Sequence, residues 1–320
     1  MPESHHFRLK YARLLANHLK VIEMSALPNL KHLQYLIALH QHHHFHKAAE
    51  HCFVSQSTLS SAIMKLEEQF GCQLIERDNK SFIFTSHGLE LVERSRQLLV
   101  NAQELMDYAK FQGDPEAGSI RLGCIPTIAP YLLPSFTQQA TTDFPNLSLY
   151  LKEDTTENLM HQLSSGEIDL VVLALPIGHH AFKSKILGKD RFYMAGDKTL
   201  IDLYKKHKSY RCLPEHSIFL LSNEHCLTEH ATSACQLGDA TRVNQFSASS
   251  ITTLLQMTAY HKGFTYLPEM AVKQGVGERE GMTIEPLDDS MYREIAMLWR
   301  PTSQRQQTYF KLAELLTKLI

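Results

Sequence analysis

Residues 112–118, Gln-Gly-Asp-Pro-Glu-Ala-Gly, split this 320-residue chain into two stretches of different hydrophobic period. Two glycines and a proline within seven positions end any helix that reaches them and read as a hinge. Upstream, apolar residues recur mainly three and four apart. Downstream, short apolar runs alternate with helical segments. A chain divided in this way is not one small module, and at this length two or three domains are expected, because single cores stop growing near about 250–300 residues.

In the upstream stretch, Leu33, Leu36, Ile37 and Ala38 predict a helix from Leu30 that ends near the turn His42-His43-His44. Phe45, Ala48, Ala49 and Cys52 predict a short second helix. Ser55-Gln56-Ser57-Thr58 is an N-cap cluster opening a third helix with an apolar face of Leu59, Ile63, Leu66 and Phe70, closed by Gly71. Three short helices with a tight middle turn form a helix-turn-helix pattern. Segments 73–76 and 81–85 around the polar turn Arg77-Asp78-Asn79-Lys80 predict a two-stranded wing. From Ser86 a helical repeat runs to Ala109, roughly 36 Å at 1.5 Å per residue, long enough to be a dimerisation helix.

Beyond the hinge, the sequence predicts strands at 120–125, 147–153, 170–175, 191–194, 218–221, 243–246 and 264–267, with helices between several of them. Strands alternating with helices predict a parallel α/β sheet, and some 200 residues of it predict two lobes around a cleft. The 43% hydrophobic and 21% charged composition excludes a largely disordered chain, and no apolar run approaches the roughly 18 residues of a membrane span. The first 27 residues are basic but lack the pattern of a secretion signal, so a cytoplasmic, reduced setting is expected; Met24 could be a second start, and no function attaches to this extension.

The formal charge of −2 neither demands nor forbids a polyanionic partner. Between Pro28 and Gly88, Lys31, Lys47, Lys65, Arg77 and Lys80 are matched by Glu50, Glu67, Glu68, Glu76 and Asp78. One such head would bind DNA weakly and depend on linked copies. Within it, Ser55, Gln56, Ser57, Thr58 and Ser60 supply the short polar end that a recognition helix presents to the major groove. Gln56 suits the edge of adenine, the hydroxyls suit phosphates, and Lys65, Arg77 and Lys80 would neutralise further phosphates. His40, His42, His43, His44 and His46 crowd one turn but should fan outward, so no metal site is assigned. Six scattered cysteines without a CxxC pair argue against a structural zinc, and no cofactor is expected.

The run FHKAAEHCFVSQSTLSSAIMKLEEQFGCQLIER, Phe45 to Arg77, resembles the DNA-binding segment of the LysR-type transcriptional regulators. The remainder is most similar to the effector domains of the peroxide-sensing OxyR regulators. The similarity is carried by IPTIAPYLLP (125–134), SSGEIDLVVLAL (164–175), EHCLTEHATSAC (224–235) and FTYLPEMAV (264–272), and it runs from about Leu30 to the C-terminus. The resemblance implies a winged helix-turn-helix (28–85), a linker helix (86–111), a hinge (112–118) and a two-lobed periplasmic-binding-protein-like effector domain (119–320). Lobe I would take about 119–189 and 295–320, and lobe II about 190–294.

It also implies promoter DNA and RNA polymerase as partners, assembly into dimers and tetramers, control of antioxidant genes, and no enzymatic role. Hydrogen peroxide would oxidise Cys226, which then forms a disulfide with Cys235, with Thr127, Thr156, His225 and Arg293 around the peroxide. From the residues themselves, Cys226 stands at a predicted helix start that favours a thiolate, and Leu227, Ala231, Ala234 and Cys235 share one face. Nine helical residues separate the sulfurs by roughly 13 Å between Cα atoms, too far for a disulfide without unwinding. One departure is Thr228, where the family usually has arginine. Cys52, Cys72, Cys124 and Cys212 read as structural. Two other readings remain open: a regulator that binds a small molecule in the cleft, and, more remotely, a thiol peroxidase.

Overall fold

In the computed structural model, which describes residues 27–77, 81–110, 116–177, 182–222, 226–234 and 240–320, Asn29 caps the first described helix by accepting the Lys31 N–H at 2.9 Å. This helix, α1 (Leu30–His42), buries Leu33, Leu36, Ala38 and Leu39 and stops at His43, which adopts the left-handed conformation at φ 46°. Helix α2 (Phe45–His51) buries only Ala48 and Ala49, whose small side chains let it lie close to its neighbours. Helix α3 (Gln56–Phe70) starts at Ser55, whose Oγ accepts the Thr58 N–H, and ends at Gly71 with φ 66°, a conformation that favours glycine. Each fully buried leucine or isoleucine on its inner face contributes about 1.5–3 kcal/mol.

Strands β1 (Ile75–Arg77) and β2 (Phe82–Phe84) pair antiparallel as the wing. Glu67 holds the wing to α3, its Oε1 accepting the N–H groups of Leu74 (2.8 Å) and Ile75 (3.2 Å). The 25-residue helix α4 (Ser86–Lys110) follows. Its third residue, Gly88, lies so close to the wing that a Cβ there would sit 2.1 Å from the carbonyl oxygen of Leu74, so only glycine fits.

The chain forms two compact units, one ending at Ala102 and the other beginning at Gln103. In the second unit, β3 (Gly118–Cys124), helix α5 (Ala129–Asp143), β4 (Leu147–Glu153), helix α6 (Thr156–Ser165) and β5 (Leu170–Leu175) make a parallel β4-β3-β5 layer. Next comes β6 (Lys183–Gly196), a 14-residue strand, then α7 (Lys198–His207), β7 (Ile218–Leu221) and α8 (Cys226–Ala234). The remaining elements are β8 (Val243–Ala248), α9 (Ile251–Tyr260), β9 (Phe264–Pro268), α10 (Glu269–Val272), β10 (Thr283–Pro286), β11 (Tyr292–Trp299) and α11 (Gln306–Thr317).

The expected all-parallel sheet is corrected by two strands. β11 runs antiparallel to both β5 and β6, and β6 runs antiparallel to β9 and β10. The sheet order is therefore β4-β3-β5-β11-β6-β9-β7-β8, parallel at each end and antiparallel in the middle. Two separate hydrophobic cores flank that middle. The first is built on β3, β5, β11 and α11, and the second on the far half of β6 with β7 and β9. The two lobes expected from size are thus joined by a long strand that belongs to both.

Candidate functional site

At the start of α3 the side chains of Ser55, Gln56, Ser57 and Thr58 are all exposed. Ser55 Oγ lies 2.9 Å from Ser57 Oγ and 2.7 Å from Thr58 Oγ1, so three of the predicted residues form one hydroxyl cluster at the positive end of a 15-residue helix. Lys65 is exposed further along. Ser60 is half-buried and accepts a hydrogen bond from Arg77 Nη1 at 3.2 Å, while the Arg77 guanidinium stacks over Phe45 at 5.3 Å. Ser60 and Arg77 thus tie the wing to helices α2 and α3. Lys80 lies outside the described residues.

No periodicity marks Phe53, which is 96% exposed at the left-handed position of the helix-turn-helix turn. The histidines do not all fan outward as the sequence predicts. Instead, His42 meets His51 with ring centroids 4.8 Å apart, and His40 packs edge-on against Phe84 at 5.2 Å. Burial pulls the His40 pKa down, and Arg96 and His43 add to the shift. Among the described residues no group of three or more His, Cys, Asp or Glu could hold a metal.

In the second unit, parallel pairing sets Cys124 opposite Glu153. The turn after β3, which carries Thr127, therefore lies beside the start of α6, which carries Thr156. These are the C-terminal ends of neighbouring parallel strands, where open α/β sheets bind ligands. Thr155 caps α6, and Thr156 is its half-buried first residue.

Thr127 is buried and meets Arg293 twice: its Oγ1 accepts from Nη1 at 2.8 Å and its carbonyl oxygen from Nη2 at 3.0 Å. Arg293 is itself fully enclosed, and its Nε and Nη2 both lie 2.9 Å from Asp190 Oδ2. Asp190 Oδ1 accepts the Met270 N–H at 3.0 Å. Of the four residues expected around a peroxide, the structure brings Thr127 and Arg293 together and sets the turn of one beside the helix start that holds Thr156. His225 lies outside the described residues.

Cys226 is the first residue of the nine-residue helix α8, whose inner face buries Leu227 and Ala231. Thr228 donates to the Leu221 carbonyl at 2.8 Å. Cys235 lies outside the described residues. Burial pushes the thiol of Cys124 far up, and Glu153 adds to that shift while Arg293 opposes it. Burial likewise raises the Cys52 and Cys212 thiols, so all three are poor nucleophiles. No described helix is long and apolar enough to cross a membrane.

Two family models match: the bacterial regulatory helix-turn-helix protein, lysR family, at residues 30–89, and the LysR substrate binding domain at residues 113–319. The HTH-type transcriptional regulator EstR of Acinetobacter baylyi is 34% identical over 297 residues, covering 92% of this chain and 98% of that protein. The hydrogen peroxide-inducible genes activator of Dickeya chrysanthemi is 36% identical over 287 residues, covering 89% and 94%. The solved reduced regulatory domain of OxyR2 from Vibrio vulnificus is 43% identical with a TM-score of 0.61, over 65% of this chain and 98% of that one. With a helix-turn-helix head and a two-lobed regulatory domain both matched, the chain belongs to the LysR family of DNA-binding transcriptional regulators and is OxyR-like within it.

Proposed function

We propose that this regulator senses hydrogen peroxide through Cys226 and Cys235 and transmits the oxidation to promoter DNA. The observation that carries the reading is helix α8, which begins at Cys226 and continues to Ala234. Eight helical steps span about 12 Å, whereas a disulfide needs its Cα atoms within about 6.8 Å. In the first step the Cys226 thiolate attacks one peroxide oxygen: an S–O bond forms, the O–O bond breaks, and hydroxide leaves to be protonated to water. The sulfur loses two electrons and the peroxide gains them. Cys235 then attacks the sulfenic sulfur, an S–S bond forms, and a second water leaves. Because the helix must come apart for the second step, closing the disulfide remodels the segment after Ser222 and changes how protomers pair on DNA.

A helix start favours the Cys226 anion, and burial disfavours it at Cys52, Cys124 and Cys212. Thr228, in place of the arginine that the family resemblance implies, supplies no cation to the thiolate, so the reaction is expected to be slower than in a protein with that arginine. On the DNA side, Gln56 reads a base. Ser55, Ser57 and Thr58 bind phosphate at the start of α3, with Ser60, Lys65, Arg77 and Lys80 flanking. RNA polymerase is the partner downstream, and linked dimers or tetramers supply the affinity that a head with balanced charges lacks.

The second reading, a small molecule in the cleft, draws on the similarity to EstR. Operator binding by the full-length reduced protein separates the two. A stoichiometric peroxide pulse is expected to change the footprint, and dithiothreitol to restore it. A footprint indifferent to both reagents favours the cleft ligand.

A further inference from the structure

Three buried groups join four segments of the second unit. Asp190 lies on β6, Arg293 on β11, Thr127 in the turn after β3, and the Met270 N–H belongs to α10. Asp190 and Arg293 side chains are both 0% exposed. An ion pair so deep is seldom a net source of stability, since desolvating both charges costs about what their attraction returns.

The direction of the bonds is more informative. A guanidinium can only donate. Arg293 Nη1 therefore fixes Thr127 Oγ1 as an acceptor, and the hydroxyl proton of Thr127 must point elsewhere. Among the described residues no acceptor takes it. Arg293 can hold this pose because Asp190 grips its Nε and Nη2 while the Met270 N–H holds the other carboxylate oxygen.

We propose that Asp190 is a positioning residue for the peroxide reaction: it locks Arg293 in the pose that turns Thr127 into an oriented hydrogen-bond donor for the bound peroxide. The inference rests on the peroxide reading above and goes beyond it in assigning a role to a residue that would not touch the peroxide. A donor whose proton is already aimed costs no reorganisation as charge builds on the departing oxygen. Without Asp190, Arg293 would seek other acceptors and the Thr127 hydroxyl would rotate. Asp190 also lies on the strand shared by both lobes, so the donor is aimed only while β6, β11 and the turn after β3 keep their registry.

The test measures two second-order rates at Cys226 in the full-length reduced protein, one with hydrogen peroxide and one with iodoacetamide. Alkylation reports the thiolate and its access, and the peroxide rate reports in addition the aimed donor. Asp190→Asn is expected to lower the peroxide rate by about tenfold to a hundredfold, while alkylation changes less than about twofold. Thr127→Val should give the same selective loss, and adding Asp190→Asn to it should lower the peroxide rate no further. If Asp190→Asn does not fold, Arg293→Lys replaces it. That variant keeps a cation beside Asp190 but cannot also reach Thr127, and the same selective loss is expected. Equal loss of both rates, loss of neither, or effects of Asp190 and Thr127 that multiply would overturn the inference. A wild-type Cys226 that reacts with peroxide no faster than free cysteine overturns the peroxide reading and this inference together. A fast wild type with unchanged variants overturns this inference alone.

Discussion

Replacing Cys226 by serine is expected to leave promoter output identical with and without peroxide, held at the level of the reduced wild type. The serine hydroxyl does not ionise near neutral pH and has no sulfenic state, so neither the first nor the second step of the switch can occur. Cys235→Ser should behave differently: Cys226 still reacts, but its sulfenic acid has no internal partner and persists or over-oxidises. Cys212→Ser should respond like the wild type. Its thiol is raised by burial, and its Sγ donates to the Ser209 carbonyl at 2.8 Å, so it takes no part in the chemistry. Reporter expression across a peroxide titration distinguishes these outcomes. A Cys226→Ser protein that still follows peroxide would remove the thiol from the account and leave the cleft.

The second large effect concerns stability. Arg293→Ala strands Asp190 as an unpaired charge in a site closed to water, at a cost of about 3–5 kcal/mol. Domains are stable by only about 5–15 kcal/mol in all, so most of the margin would be lost. The chain has one tryptophan, Trp299, buried on the same strand as Arg293. Its fluorescence during urea unfolding therefore reports the affected region directly. Replacing both partners, Asp190→Leu with Arg293→Met, should recover much of the loss, because no charge is then buried. An Arg293→Ala protein that unfolds at the wild-type urea concentration would contradict the buried pair.

The contrast between β6 and β5 explains what the sequence could reveal. Leu170 to Leu175 is an unbroken apolar run whose ends coincide with those of the strand. β6 begins Lys-Ser-Lys-Ile-Leu-Gly-Lys-Asp-Arg, and β11 begins Tyr-Arg-Glu. Hydropathy counts Asp190 and Arg293 as surface charges, although each is buried because the other is there. So the sequence predicts only residues 191–194 of β6 and nothing of β11, and the expectation of a parallel sheet follows from that. The head was more legible because its signals are local: a serine cap at Ser55, a left-handed glycine at Gly71, and a small-residue pair at Ala48 and Ala49. Less visible were bonds between distant positions. Arg77 to Ser60 and Glu67 to Leu74 join α3 to the wing, and no periodicity encodes them.

The site shows the same division. The family resemblance names both Thr127 and Arg293, and their 2.8 Å bond places them together in space. Asp190 belongs to no motif, and its importance emerges only from the three hydrogen-bond donors that converge on its carboxylate.

The most direct measurement is peptide mapping of the full-length protein after one equivalent of hydrogen peroxide, with free thiols alkylated before a non-reducing digest. The account predicts a pair of peptides joined through Cys226 and Cys235, lighter by two hydrogens than the separate peptides and separated again by reductant. Quantitative alkylation of both cysteines after the pulse, or a crosslink through a different cysteine, would contradict it.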